Sequence, residues 1–201
     1  MRHRLVVLLV LAATALAADP PGSADARRAL ALCGRAEALP SAEARTILEK
    51  GFALAERAVA TDEDDALAHF AVFCTLGEQL RTRGPSLWTV WDLRRLHRAV
   101  DRTLELAPDF ADALAGKGAL LLDSPRLLGG DPADGEIYLR RALEVDPDWV
   151  APRLDLVRAL QRRGAITQAR SEAIRALAVA EAGQDTGDAA RARALLVALG
   201  E

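Results

Sequence analysis

The sequence predicts an all-α protein, a solenoid of about four helix-turn-helix pairs closed by a C-terminal capping helix. Three observations predict it. Hydrophobic residues fill 51% of the 201 positions but aromatics only 4%. The apolar content is mostly Ala, Leu and Val, helix-forming stock with little large packing volume, whereas an all-β chain needs aromatic and β-branched runs broken by frequent turns. Apolar residues recur at helical spacing in about nine runs bounded by Pro, Gly and acidic residues. Finally, one helix-ending device repeats: Leu106-Ala107-Pro108-Asp109-Phe110 and Val145-Asp146-Pro147-Asp148-Trp149 stand 39 residues apart. With half its residues apolar and a formal net charge of −3, the chain also falls outside the disordered class.

The first stretch reads as a leader rather than part of the fold. Met1-Arg2-His3-Arg4 is basic, Leu5 to Ala13 is almost purely apolar, and Ala15-Leu16-Ala17 is a small-x-small cleavage site. That pattern is a secretory signal peptide over 1–17, its apolar core too short to span a bilayer. Cleavage removes Arg2 and Arg4, taking the net charge from −3 to −5. A mildly acidic chain lacks the electrostatic footprint for nucleic acid or an anionic membrane, and no later run is long and apolar enough to span one. The expected location is periplasmic or secreted. Residues 18–23 form a breaker-rich flexible leader.

The helices follow in order. Ala24 to Leu39 ends at Pro40, and Ser41, with Glu43 in the first turn, opens a helix to about Ala60. The charged turn 61–65 caps a helix carrying Leu67, Phe70, Phe73, Leu76 and Leu80, which Arg83-Gly84-Pro85 ends. Ser86 starts a helix that runs to Pro108. Asp109 to Asp123 is helical, and Ser124 to Gly130 is a loop. Asp131-Pro132 pairs a capping carboxylate with Pro at the first helical position, a firm start signal for a helix to Asp146. Asp148 to Arg163, Ala165 to Ala182 and Asp188 to Leu199 complete the series, with Gly164 and Gly183 at the breaks.

Aligned on the repeated turns, one stripe is small or apolar. Ala58, Thr103, Ala142 and Ala176 stand five residues before Glu63, Pro108, Pro147 and Glu181, and Ala55, Val100, Leu139 and Ala173 eight before. Small residues at helical spacing let neighbouring helices approach closely. With Leu156, Leu160, Gly164, Ala169, Ala173 and Ala176, the unit 148–181 resembles the tetratricopeptide repeat family, and residues 24–182 follow it in register. The resemblance implies a right-handed solenoid of degenerate repeats, with 183–201 as a capping helix. The chain departs from the family pattern at His69, Leu114 and Arg153, where an aromatic is usual, at Phe73 and Val157, where a small residue is usual, and at two expanded turns. The turn Pro125-Arg126-Leu127-Leu128-Gly129-Gly130-Asp131 is similar to one in the T component associated with tripartite ATP-independent periplasmic transporters, which implies an accessory role in solute uptake. A second explanation of Gly-Gly before an Asp cap is simply that it turns the chain.

In such a solenoid the first helix of each pair lines a concave face. The repeat alignment puts Leu67, Phe70, Cys74, Asp112, Ala115, Ala119, Ala151, Leu154 and Arg158 on or near it, a mixture suited to a protein or peptide partner. Leu67 and Phe70 could instead be covered by the Pro85–Asp92 segment or by the first helix. Trp88 and Trp91, one turn apart, are candidate anchors at the rim, with packing of their own insertion as the other reading. Export permits a Cys33–Cys74 disulfide. Neighbouring helix axes lie about 8–10 Å apart and few pairs meet disulfide geometry, so two small buried hydrophobes are the alternative. No cofactor or metal is expected: His69 and His97 are the only histidines after the leader, and no zinc spacing, phosphate-loop Lys or Gly-x-Ser-x-Gly occurs. The reading is a non-enzymatic interaction scaffold.

Overall fold

A computed structural model describes residues 19–83 and 90–200. The leader read over 1–17 and Trp88 lie outside these residues. Among those described there are nine α-helices and no strand: α1 (Ala24–Ala36), α2 (Ser41–Thr61), α3 (Ala66–Arg83), α4 (Val90–Leu106), α5 (Ala111–Asp123), α6 (Pro132–Val145), α7 (Val150–Arg162), α8 (Ile166–Ala182) and α9 (Thr186–Ala198). They pair as α1/α2, α3/α4, α5/α6 and α7/α8, each pair packing on the next, with α9 closing the stack on α8.

Most helix starts follow the side chains the sequence offers. Ser23 accepts from the Ala26 amide at 3.1 Å and begins α1. Its own amide donates to Asp65 Oδ2 at 2.8 Å, so the end of the leader is tied to the start of α3. Asp65 Oδ1 in turn accepts from the Ala68 amide at 2.9 Å. Asp131 accepts from Ala133 and Asp134, as the Asp-Pro signal predicts. Ser41 is the first residue of α2, as the sequence predicts, and the cap position before it is Pro40, which has no side-chain acceptor.

The small stripe is the packing seam. Ala55, Ala58, Ala142, Ala169, Ala173 and Ala176 are all buried. At Arg153, one of the three places where the usual first-helix aromatic is missing, charge takes its place: Arg153 is 3% exposed and pairs with Glu172 at 2.6 Å, tying α7 to α8, while its guanidinium also reaches the Pro147 carbonyl. Removing one partner of such a buried pair costs far more than the pair itself contributes. The Gly-Gly turn is explained by its backbone. Gly129 sits at φ +95°, and a Cβ on Gly130 would stand 1.9 Å from the Ser124 carbonyl oxygen.

Cys33 of α1 and Cys74 of α3 form a disulfide, with Cα atoms 6.3 Å apart. Of the two readings open at the sequence level, the bridge is the one realised. It lies against Ala36, Ala44 and Leu48 and joins two consecutive first helices.

Candidate functional site: a groove between the second and third repeats

Consecutive first helices pack directly at α1–α3, α5–α7 and α7–α9. Between α3 and α5 the concave surface instead opens into a groove of about 470 Å³, with α7 forming its far end. The cause is side-chain volume. Phe73 occupies a place where the repeat usually has a small residue, and its ring lies against Gly116 of α5, where an added Cβ would come within 2.5 Å of the ring. Phe70 stacks beside Phe73 with centroids 5.9 Å apart and meets Phe110 edge-on at 4.8 Å. A glycine opposite a phenylalanine accommodates the ring but leaves no side chain to fill the space beyond it.

The groove floor is apolar: Phe70, Phe73 and Gly77 of α3, Leu96 of α4, Ala115, Ala119 and Leu120 of α5, and Ala151 and Pro152 of α7. Its edge is acidic. Glu78, Asp112, Asp123 and Asp155 line it. Arg81 is held by Glu78, and Arg158 bridges Asp123 (3.1 Å) and Asp155 (2.7 Å). Asp112 has no cation or hydrogen-bond partner among the described residues. Burial raises its carboxyl above the ordinary carboxylate range, and Asp19 and Asp146 push the same way. Asp155 is also raised, chiefly by burial, despite its hydrogen bond from Arg158. A half-buried acid without a partner is costly for folding and favourable for a cationic ligand.

Of the residues aligned to the concave face, the structure brings Phe70, Cys74, Asp112, Ala115, Ala119 and Ala151 into the groove, with Arg158 paired to two of its edge carboxylates. Leu67 and Leu154 are corrections. Leu67 is 5% exposed, packed in the core with Ala26 and covered by Gly22. Leu154 is 5% exposed beneath Ala176 of α8 and Ala192 of α9. Trp91 is 73% exposed and lines a different hollow on the far side of α4. Sequence reasoning missed Gly116 and Asp155. The readable signal for Gly116 was a large residue in one repeat facing a glycine in the next.

The histidines lie elsewhere. His69 Nε2 is 3.0 Å from the Glu63 carbonyl oxygen, and His97 backs onto Gly129. No group of three metal-ligating side chains and no helix long and apolar enough to cross a membrane occurs among the described residues.

No protein-family model and no curated protein matches the chain in sequence. Solved structures do resemble it. A thermophilic TPR protein of Thermus thermophilus superposes with a TM-score of 0.57 at 16% identity, over 86% of this chain and 99% of that one. PilW, a widely conserved type IV pilus biogenesis factor, gives 0.57 at 16% identity, over 88% and 78%. YrrB, described as a TPR protein with an unusual peptide-binding site, gives 0.50 at 14% identity, over 89% and 93%. These likenesses show the fold: a TPR-like, all-α solenoid.

Proposed function

We propose that the protein is a non-catalytic docking scaffold whose α3–α5 groove takes a segment of a partner protein, with an apolar side chain on Phe70 and Phe73 and a Lys or Arg opposite Asp112. The observation that carries this reading is the coincidence of an open apolar floor with an unpartnered carboxylate at its edge. An apolar anchor supplies affinity and the buried charge sets which residue must flank it. YrrB's described peptide-binding site supports a peptide ligand on this type of scaffold.

We also propose that the scaffold works outside the cytoplasm. The leader pattern of residues 1–17 and the Cys33–Cys74 bridge both favour an oxidising compartment. The solute-uptake reading draws on turn 125–131, whose glycines are accounted for by backbone geometry. A transporter partner would restore it.

The test is a peptide library selected on the purified protein, followed by calorimetry of the best binders against wild type and Ala119→Arg. Ala119 is partly exposed on the groove wall, so the arginine fills the groove without entering the core. Peptides combining an apolar and a basic residue should be selected and should lose at least about tenfold in affinity, roughly 1.4 kcal/mol. Binders indifferent to Ala119→Arg would place the site elsewhere.

A further inference from the structure

The far side of α4 carries a second feature that the groove does not use. Leu96 faces the groove, while Trp91, Arg94, His97 and Arg98 face away from it. There they meet the expanded turn between α5 and α6, and the two segments enclose a hollow of about 450 Å³. Its apolar side chains project outward: Leu127, at the tip of the turn, is 98% exposed and Trp91 is 73% exposed. Its charge is positive. Arg94 lies over the Trp91 ring at 5.6 Å, and Arg94, Arg98 and the exposed Arg126 have no carboxylate partner among the described residues. No acidic residue among those described lines the hollow. His97 adds no charge at neutral pH, since burial and then Lys117 lower its pKa.

The chain therefore presents a projecting apolar edge with free guanidinium groups on one side of α4. On the other it presents a recessed apolar groove with an acidic edge and a carboxylate in need of a cation. The two are complementary in shape and in sign. We propose that the Trp91–Leu127 edge of one copy docks into the α3–α5 groove of a second copy, placing Leu127 on the phenylalanine floor and an edge arginine opposite Asp112. This rests on the reading of the groove as a binding site. The contact is heterologous, joining two different patches, so each added copy leaves one edge and one groove free and assembly is open-ended unless rotation closes a ring. A partner segment in the groove then competes with self-assembly, and the protein's oligomeric state reports whether its partner is present. Projections of this size bury a modest area, so association is weak and concentration-dependent.

The experiment is sedimentation velocity on the full protein from low micromolar to high concentration, with two surface variants. Arg126→Glu with Leu127→Asp inactivates the edge, and Ala119→Arg inactivates the groove. Circular dichroism checks that both stay helical. Wild type should sediment faster as concentration rises, and each variant alone should dissociate at least about tenfold more readily. Mixed in equal amounts, the variants should form a one-to-one pair that grows no further, because only one intact edge and one intact groove remain. Wild type that stays monomeric, an edge variant that still associates, or a mixture that stays monomeric would each overturn the proposal. So would binding of the edge to anionic lipid vesicles without self-association. Wild type that stays monomeric at every concentration without peptide, yet binds a selected peptide that fails on Ala119→Arg, would overturn self-docking alone and leave the groove reading intact. Peptide binding and association both indifferent to Ala119→Arg would remove the groove reading as well.

Discussion

The junctions between successive first helices differ in kind, although the repeat that builds them is the same. At α1–α3 the helices are locked by a disulfide. At α5–α7 they close on each other, and Arg158 and Arg162 of α7 reach Asp123 and the Leu122 carbonyl at the end of α5. At α3–α5 they part, and Phe73, which stands where the repeat usually has a small residue, lines the opening together with Phe70. At this junction the seam becomes a site, with an aromatic floor between first helices that do not pack directly. The two flanking junctions are the firm ones, which is the arrangement a preformed groove requires.

The largest effect expected from breaking this contrast is at the disulfide. It closes a loop with a sequence separation of 41, which in the chain-entropy model is worth about 4 kcal/mol. Urea unfolding with and without reductant should show a drop of that order, and an unchanged midpoint would mean that packing alone holds α1 on α3. Next come the two glycines of α5. A Cβ on Gly118 would meet Leu139 at 2.7 Å and the Gly135 carbonyl at 3.0 Å, inside a closed seam. The atoms nearest to a Cβ on Gly116 all belong to the Phe73 ring, at the open groove. Gly118→Ala should therefore cost roughly 1–3 kcal/mol, and Gly116→Ala less, since the ring can swing. Equal costs would show that the groove is as tightly packed as the seam. Arg158→Ala should change stability by about 1 kcal/mol at most, because its pairs are partly exposed and screened.

The smallest effect sharpens the comparison most. Asp112 has its folded pKa above its unfolded one. The unfolded state therefore releases the proton first as pH rises, and the chain loses stability through the titration of Asp112. Asp112→Asn should be slightly more stable than wild type at neutral pH, with the two converging once Asp112 is protonated at low pH. The same variant should bind a basic peptide more weakly. Gaining stability while losing binding is the signature of a residue kept for function. A variant less stable than wild type at pH 7 would mean that Asp112 has a structural partner.

The fold was legible because its signals are local. Asp131-Pro132 starts a helix by its own chemistry, and the alanine stripe at three- and four-residue spacing marks the seam wherever the repeat recurs. The groove was only partly legible because it depends on what lies opposite each residue. Leu67, Phe70 and Cys74 share one stripe of α3, yet Leu67 is covered by Gly22 and Ala26 while Phe70 faces the opening. Leu154 likewise aligns with the concave face and is buried by α8 and α9, which spacing within α7 does not reveal. Trp91 stands out in the sequence as one of three tryptophans, but which side of α4 it faces depends on how α4 meets the turn at 125–131. The cysteine pair needed the observed closeness of α1 and α3 before bridge and buried thiols could be told apart.

The central claim is that the opening between α3 and α5 is where a partner binds. It is tested most directly by placing a photocrosslinking residue at Ala119 in the groove or at Ile174, exposed on α8, in the native host. The account expects a discrete adduct from position 119 that disappears when Asp112 is replaced by Arg, and none from position 174. Adducts from 174 with none from 119 would contradict it.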